Sequence, residues 1–439
     1  MDILQPEAQG AAGSFVAPKI EEKPPFTVSM QEIIVACISY ILAWILCGYD
    51  NERIVIPLFT VGLVALGEFL YRERPRAWES WVWMGCALAA AAAIMLDRYK
   101  VWSANWQGML VFVVFYQFSL VWYLLSRSGT LLGGESGRLL PLDALSGFLA
   151  VPLQNFFLRI RTLIYAISRV FQRKAGKTRE RPEKGAVLWT LGIILAAFLL
   201  MRMALHLLRS ADSGFSAMVG SFTELFRLEW DWELKIKLIR FLFSLPLGCW
   251  VYALMGGSLR RDRAKLQEKA LRIEQRASAM RRVSARVWQI LLVLFCTLYA
   301  VFFVVQGSYL FGAFTRTLPE GFVVAEYARQ GFFELCKVMV VNFTLFYLAW
   351  RTSKGGAMTR IMLLVLLAES LLLAVVAFSK LALYIDCFGF TPKRLQSLWL
   401  VCVLAFGCGC AIVHLITGKK VFRTWMFFSA ISLAVLSFY

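Results

Sequence analysis

Apolar residues run along this chain in long blocks separated by short charged or Pro- and Gly-containing segments. About eleven blocks, each roughly 15 to 24 residues long, fall near 28–48, 54–70, 82–96, 107–125, 187–208, 236–255, 287–306, 333–350, 361–384, 396–417 and 422–438. A helix rises about 1.5 Å per residue and needs roughly 20 apolar residues to cross the hydrocarbon core, so each block approaches a membrane span. The pattern predicts an all-α polytopic integral membrane helix bundle of about 11 transmembrane helices, or about 9 to 10 where the short second and third blocks do not cross. Composition agrees, because 59% hydrophobic residues and a mean hydropathy of +0.64 over 439 residues exceed what a water-soluble core can hide.

The blocks divide the chain. Residues 1–27 are polar, carry Pro6, Pro18, Pro24 and Pro25 and hold acidic groups ahead of the first apolar block, which predicts a disordered tail rather than a secretory signal. A four-helix membrane unit follows at 28–125, then a basic amphipathic segment at 126–186 and two membrane helices at 187–255. A charged heptad helix at 256–286 leads into a five-helix membrane unit at 287–439.

Charge adds orientation. The chain holds 47 Lys and Arg against 28 Asp and Glu, a formal net charge of +19. The basic residues gather between apolar blocks rather than in one domain, which suits anionic lipid headgroups and not nucleic acid. Lys and Arg are retained on the cytoplasmic side during insertion. With the N-terminus inside, the cytoplasmic segments hold about 32 basic residues and the opposite side about 12, which puts the C-terminus outside.

Two cytoplasmic segments are more than connections. In 126–186, Phe156, Phe157, Ile160, Leu163, Ile164, Ile167 and Phe171 recur at helical spacing between Arg159, Arg161, Arg169, Arg173 and Lys174, the pattern of a helix lying in the membrane interface. Leu139 to Val151 reads as a re-entrant or interfacial piece broken by Pro141 and Pro152. In 257–287, Leu259, Leu266, Ile273, Met280 and Val287 lie seven apart, with Ala270 and Ala277 between them, a heptad seam. It predicts an association surface, first against the chain's own 126–186 segment and second between copies or with a helical partner.

Polar residues inside the apolar blocks are few and mark where chemistry could reside. Arg202 and His206 share a helix face, Asn342 lies mid-depth in the eighth block, and Glu369 lies near the middle of the ninth with Ser370 beside it. Asn342 and Glu369 reach similar depth on antiparallel neighbours, as do Glu334 and Lys380 near the outer boundary. Ties between helices are the first reading of these pairs, and a substrate or proton path is the second.

The final third carries motifs: Tyr309-Leu310-Phe311-Gly312, Pro319-Glu320-Gly321-Phe322, and Glu326-Tyr327-Ala328-Arg329-Gln330-Gly331-Phe332-Phe333-Glu334-Leu335. Leu383-Tyr384-Ile385-Asp386, Phe388-Gly389-Phe390-Thr391 and Arg394 follow. Over about residues 305–435 the chain resembles an uncharacterised family of bacterial multi-pass membrane proteins, a domain of unknown function, whose second motif reads Tyr-x-Asp-x-Tyr-Gly-Leu-Thr and then Arg. Phe388, Phe390 and Pro392 depart from that pattern. The resemblance implies a bacterial inner-membrane location and brings no reaction or catalytic residue. The charge-derived topology places both motifs outside, so Glu326, Tyr327, Arg329, Glu334, Asp386, Thr391 and Arg394 form a candidate outer-face cluster, with Arg329 facing Asp386 or Glu326 facing Arg394 and Thr391 as an N-cap.

Enzyme readings find little support. There is no phosphate-cradling glycine loop, Cys408 and Cys410 are too close for the usual metal-ligand spacing, and the two histidines, His206 and His414, flank no candidate nucleophile. No metal and no cofactor is implied. The residues point to a non-catalytic membrane module that scaffolds or signals, with a carrier for a small solute or lipid, using Glu369 and Asn342, as the alternative.

Overall fold

A computed structural model of the chain describes residues 26–48, 50–175, 232–278, 283–305 and 324–439, together with single helical positions between 193 and 204. Each helix begins and ends where the local chemistry requires it. At α1 (Met30–Gly48), Ser29 and Glu32 cap each other: the Glu32 carboxylate accepts from Ser29 N–H at 2.9 Å and Ser29 Oγ from Glu32 N–H at 3.2 Å. The Asn51 side chain caps α2 (Glu52–Leu70), and Asn105 caps α5 (Trp106–Ser128) by accepting from Gly108 N–H at 2.7 Å. Between them lie α3 (Glu79–Met95) and the single turn α4 (Lys100–Ser103). Gly129 ends α5 with φ +68°, where a Cβ would also meet the Arg263 guanidinium at 2.5 Å.

Beyond α5, two short helices, α6 (Leu140–Leu145) and α7 (Val151–Gln154), are joined by a π-turn at Ser146–Ala150, and α8 (Leu158–Ala175) follows. The expectation that Pro141 and Pro152 break this piece needs correction. Each sits in the first turn of a helix, where its missing N–H costs nothing, so the prolines start helices.

The remaining described helices are α9 (Trp232–Leu259), α10 (Arg263–Ser278), α11 (Ala285–Val305), α12 (Val324–Thr352), α13 (Ala357–Phe388), α14 (Pro392–Thr417) and α15 (Phe422–Leu436). The described residues hold no strand, only an isolated bridge between Val283 and Ser353. Among them, eight helices are long and apolar enough to cross a membrane: α1, α2, α5, α9, α11, the Phe332–Thr352 part of α12, α13 and α14. Helices α3 and α15 match expected blocks but are shorter. Within the block at 187–208 only single helical positions are described, and Arg202 and His206 lie outside the described residues.

Two packed units result. Trp83, Trp102, Trp122, Tyr71, Tyr123 and Tyr252, all essentially inaccessible, fill the space among α1–α5 and α9, and α15 packs on the same core through Phe427. A second core lies among α11–α14 around Met339, Leu366, Leu367 and Cys408.

The heptad seam is spread over three helices. Leu259 ends α9, Leu266, Ala270, Ile273 and Ala277 lie on α10, and Val287 belongs to α11. Arg260 to Asp262 interrupt the run, because the guanidinium of Arg260 is drawn to Glu32 at 2.6 Å and the chain turns there. What α10 covers is the loop after α5, where Leu132 and Leu139 pack against Ala270, Leu266 and Ile273. Replacing Ala270 with Asp should put charge into this contact and release α10. Limited trypsin digestion in detergent should then cut faster at Lys265, Lys269 and Arg272 with the helical content unchanged; an unaltered digestion rate would show that α10 is held elsewhere.

Candidate functional site

The polar chemistry gathers at three levels, and the densest is the face where α2, α5 and α9 end. A helix leaves its last carbonyls without donors, and its C-terminus carries partial negative charge. Arg74, in the α2–α3 turn, supplies donors to two such ends at once: to Ser128 O at 2.7 Å, to Ser258 O at 3.4 Å and to Leu259 O. Arg263 adds a second donor to Ser128 O at 2.9 Å. Glu68, in the last turn of α2, receives Arg127 at 3.0 Å, Arg76 at 2.9 Å and the Tyr123 hydroxyl at 2.9 Å. Arg423 at the start of α15 meets Glu135 at 2.6 Å.

Two carboxylates behind this network are almost wholly buried and hold the loop that carries α10. Glu79 accepts from Ser136 N–H at 3.2 Å, and the Ser136 hydroxyl receives the Trp122 indole at 2.7 Å. Asp143 Oδ1 accepts from Leu132 N–H at 2.8 Å, while its buried Oδ2 has no hydrogen-bond partner. Burial raises the Asp143 carboxyl from 3.8 to about 7, with nearby Glu79 adding to the rise and the Leu132 N–H and Arg261 opposing it. Burial also lowers the Arg261 guanidinium from its ordinary value.

At mid-depth, α11, α12 and α13 share a hydrogen-bonded chain. The Tyr299 hydroxyl donates to Asn342 Oδ1 at 2.7 Å, Asn342 Nδ2 to Ser370 Oγ at 2.7 Å, and Ser370 Oγ to Leu366 O at 2.8 Å. Asn342 thus ties to Ser370 rather than to Glu369. Successive residues turn by about 100° around a helix, so Ser370 faces α12 while Glu369 is directed to the Cys296 thiol on α11. The Glu369 Oε2 atom is buried without a hydrogen-bond partner. Nearer the C-terminal end of α13, Lys380 is fully buried, and the exposed Glu334 lies within electrostatic reach of it.

The second motif builds the corner between α13 and α14. Gly389 stops α13 with φ +73°, and Arg394 donates to the carbonyls of Phe388, at 2.7 Å, and Gly389 while its guanidinium stacks 4.1 Å over the Tyr384 ring. A phenyl ring suffices at Phe388, which touches Tyr384 at 5.2 Å between ring centroids. Thr391 occupies the N-cap position of α14, but its side chain makes no capping hydrogen bond. Asp386 lies exposed in the last turn of α13. The backbone of Glu326, Tyr327 and Arg329 is helical in α12, while their side chains, like Tyr309 to Phe322, lie outside the described residues.

Sequence reasoning missed Glu68, Arg74, Glu79 and Asp143. They stand at the edges of apolar blocks, where a charge reads as an ordinary boundary, and only the packing reveals that they converge. All ten cysteines are free thiols, and the described residues hold no cluster of metal ligands.

Long apolar helices, a buried core and polar groups confined to the helix ends and a few internal ties define an integral membrane helix bundle. The chain belongs to a family described as a domain of unknown function (DUF4153), whose match covers residues 58–439 and so takes in most of the N-terminal unit as well as the motifs of the final third. No curated protein and no solved structure matches it.

Asp143 makes the network at the ends of α2, α5 and α9 sensitive to pH. Its folded value lies above its unfolded one, so the native state binds the proton more tightly, and stability falls as pH rises from about 4 through about 7. Asp143→Asn keeps the acceptor for Leu132 N–H and removes the charge. Thermal unfolding in detergent should show the variant more stable than the parent at pH 8, by on the order of 2 kcal/mol, with the advantage vanishing below about pH 4. A difference independent of pH would mean that Asp143 does not titrate in this range.

Proposed function

We propose that this chain is a non-catalytic membrane module of the bacterial inner membrane, which presents α8 and α10 on its cytoplasmic face to anionic lipid and to partner proteins. The observation that carries this reading is the basic face itself: carbonyls and carboxylates occupy its inner guanidinium groups, and they hold a helical surface in place. Helix α8 turns Leu158, Arg159 and Thr162 toward the bundle and leaves Phe157, Ile160, Ile164 and Ile167 exposed beside Arg161 and Arg169. That is the arrangement of an interfacial helix among lipid headgroups.

The alternation of helix ends supports the orientation. The start of α1 and the ends of α2, α5 and α9 meet through Arg74, Arg260 and Glu32, on the side that charge bias assigns to the cytoplasm. Eleven crossings with an outer C-terminus are compatible with α5 and α9 ending on the same face. A carrier is the second reading, favoured by one observation, the unpartnered Glu369 oxygen at mid-depth.

Two measurements test the proposal. Cys387 is exposed at the outer corner, so an impermeant thiol reagent added to intact cells should label it, whereas Glu268→Cys on α10 should react only after permeabilisation. Labelling of position 268 in intact cells would invert the topology. In reconstituted vesicles, hydrogen exchange of the α8 backbone should slow when phosphatidylglycerol replaces part of the phosphatidylcholine. Equal exchange in both lipids would remove the anionic-lipid role of α8.

A further inference from the structure

The outer half of the first helical unit contains a cavity that the inner-face reading leaves unused. It has a volume of about 150 Å³ and lies among α1, α2 and α5, with the α3–α4 turn at its mouth. Its lining includes Phe59, Tyr99, Phe112 and Tyr116, with the exposed residues Glu52 and Gln117 at its edges. Tyr99 and Phe112 stack at 5.5 Å with 20° between their planes, and the Tyr116 hydroxyl is tied to Thr60 at 2.7 Å, so the aromatic surfaces are held in place.

The polar groups point to a ligand. The Glu52 carboxylate, exposed in the first turn of α2, accepts from the Tyr99 hydroxyl at 2.8 Å, a neutral donor that brings no countercharge. The nearest cation in sequence, Arg53, is bound to Asp97 at 3.1 Å. Asp97 adopts φ +53° at the turn that swings Tyr99 against Glu52. Gln117 stands at the centre of α5, exposed at the bundle surface where the bilayer offers no water, and among the described residues its amide forms no side-chain hydrogen bond. Hydrocarbon offers such an amide neither a donor nor an acceptor.

A carboxylate beside fixed aromatic faces is the chemistry that binds ammonium groups, through charge and through the ring quadrupoles. We propose that this cavity is a binding site, open to the outer face, for a small organic cation of the alkylammonium class. The ammonium sits between Glu52 and the rings of Tyr99 and Phe112, and the alkyl part extends toward Gln117, which offers a hydrogen bond to a polar tail. A cavity of this volume accommodates a ligand about the size of benzene or slightly larger. The site is independent of whether α8 and α10 bind partners, and its opening to the outer face rests on the proposed orientation.

Isothermal titration of the full chain in detergent tests the assignment with choline and its neutral isostere 3,3-dimethylbutan-1-ol. Choline should bind saturably, and the isostere at least tenfold more weakly, because the cavity is matched to both shapes but only the cation meets Glu52. Glu52→Gln should lose at least tenfold in choline affinity with little effect on the isostere, and Gln117→Leu should reduce the advantage of choline over tetramethylammonium, which lacks the hydroxyl. Equal binding of choline and the isostere, or no saturable binding of either, would overturn the proposal. Should Glu52→Gln fail to fold, the comparison of the two ligands on the parent protein decides it alone.

Discussion

Helix C-termini at a membrane face pose a specific problem: their last carbonyls lack intrahelical donors, and the hydrocarbon beside them supplies none. Arg74 answers it for two helices at once. Its planar guanidinium presents several N–H groups in fixed directions, and it reaches Ser128 on α5 and Ser258 and Leu259 on α9 from the α2–α3 turn. A lysine would bring a point charge without that spread of donors. The relative height of α2, α5 and α9 follows from this contact, and with it the position of everything mounted on the same face.

The dependence runs outward from there. Burying a guanidinium is costly unless its donors are filled, so the carbonyls satisfy Arg74 as much as Arg74 satisfies them. Glu68 does the equivalent for Arg127, which is only 5% exposed and would otherwise be a buried unpaired cation. Once α5 is placed, Gly129 turns the chain into the loop that Glu79 and Asp143 hold from beneath, and α10 closes over that loop through Ala270. The alanine matters because its small side chain lets the α10 backbone approach Leu132 and Leu139 closely.

Much of the helical framework was legible in the sequence because its signal is long-range and one-dimensional. A block of about 20 apolar residues means a membrane-length helix whatever its neighbours do. The ten expected blocks that lie within described residues all fall on helices. Registers within the bundle were less legible. Depth can be counted along one helix, which brought Asn342 near Glu369, but rotation about the axis decides which of two adjacent residues faces the neighbour, and it selected Ser370. The heptad spacing of Leu259 and Leu266 was equally real as a pattern and crossed a chain turn that Arg260 and Glu32 impose. Gln117 and Glu52 passed unnoticed because one polar residue in an apolar block, or one acid at its edge, carries no signal until a cavity joins them.

The second family motif shows how a recurring pattern can be structural without being inert. Gly389 is required by its positive φ, and Arg394 is required because the last carbonyls of α13 point toward the start of α14, where its guanidinium fills them. Tyr384 supplies the face on which that guanidinium lies. These roles leave position 388 free to be any aromatic ring, consistent with a phenylalanine there. Lys380, buried one helical stretch below the corner with Glu334 acting on it from α12, is the charge best placed to couple the two motifs through the packed interface of α12 and α13.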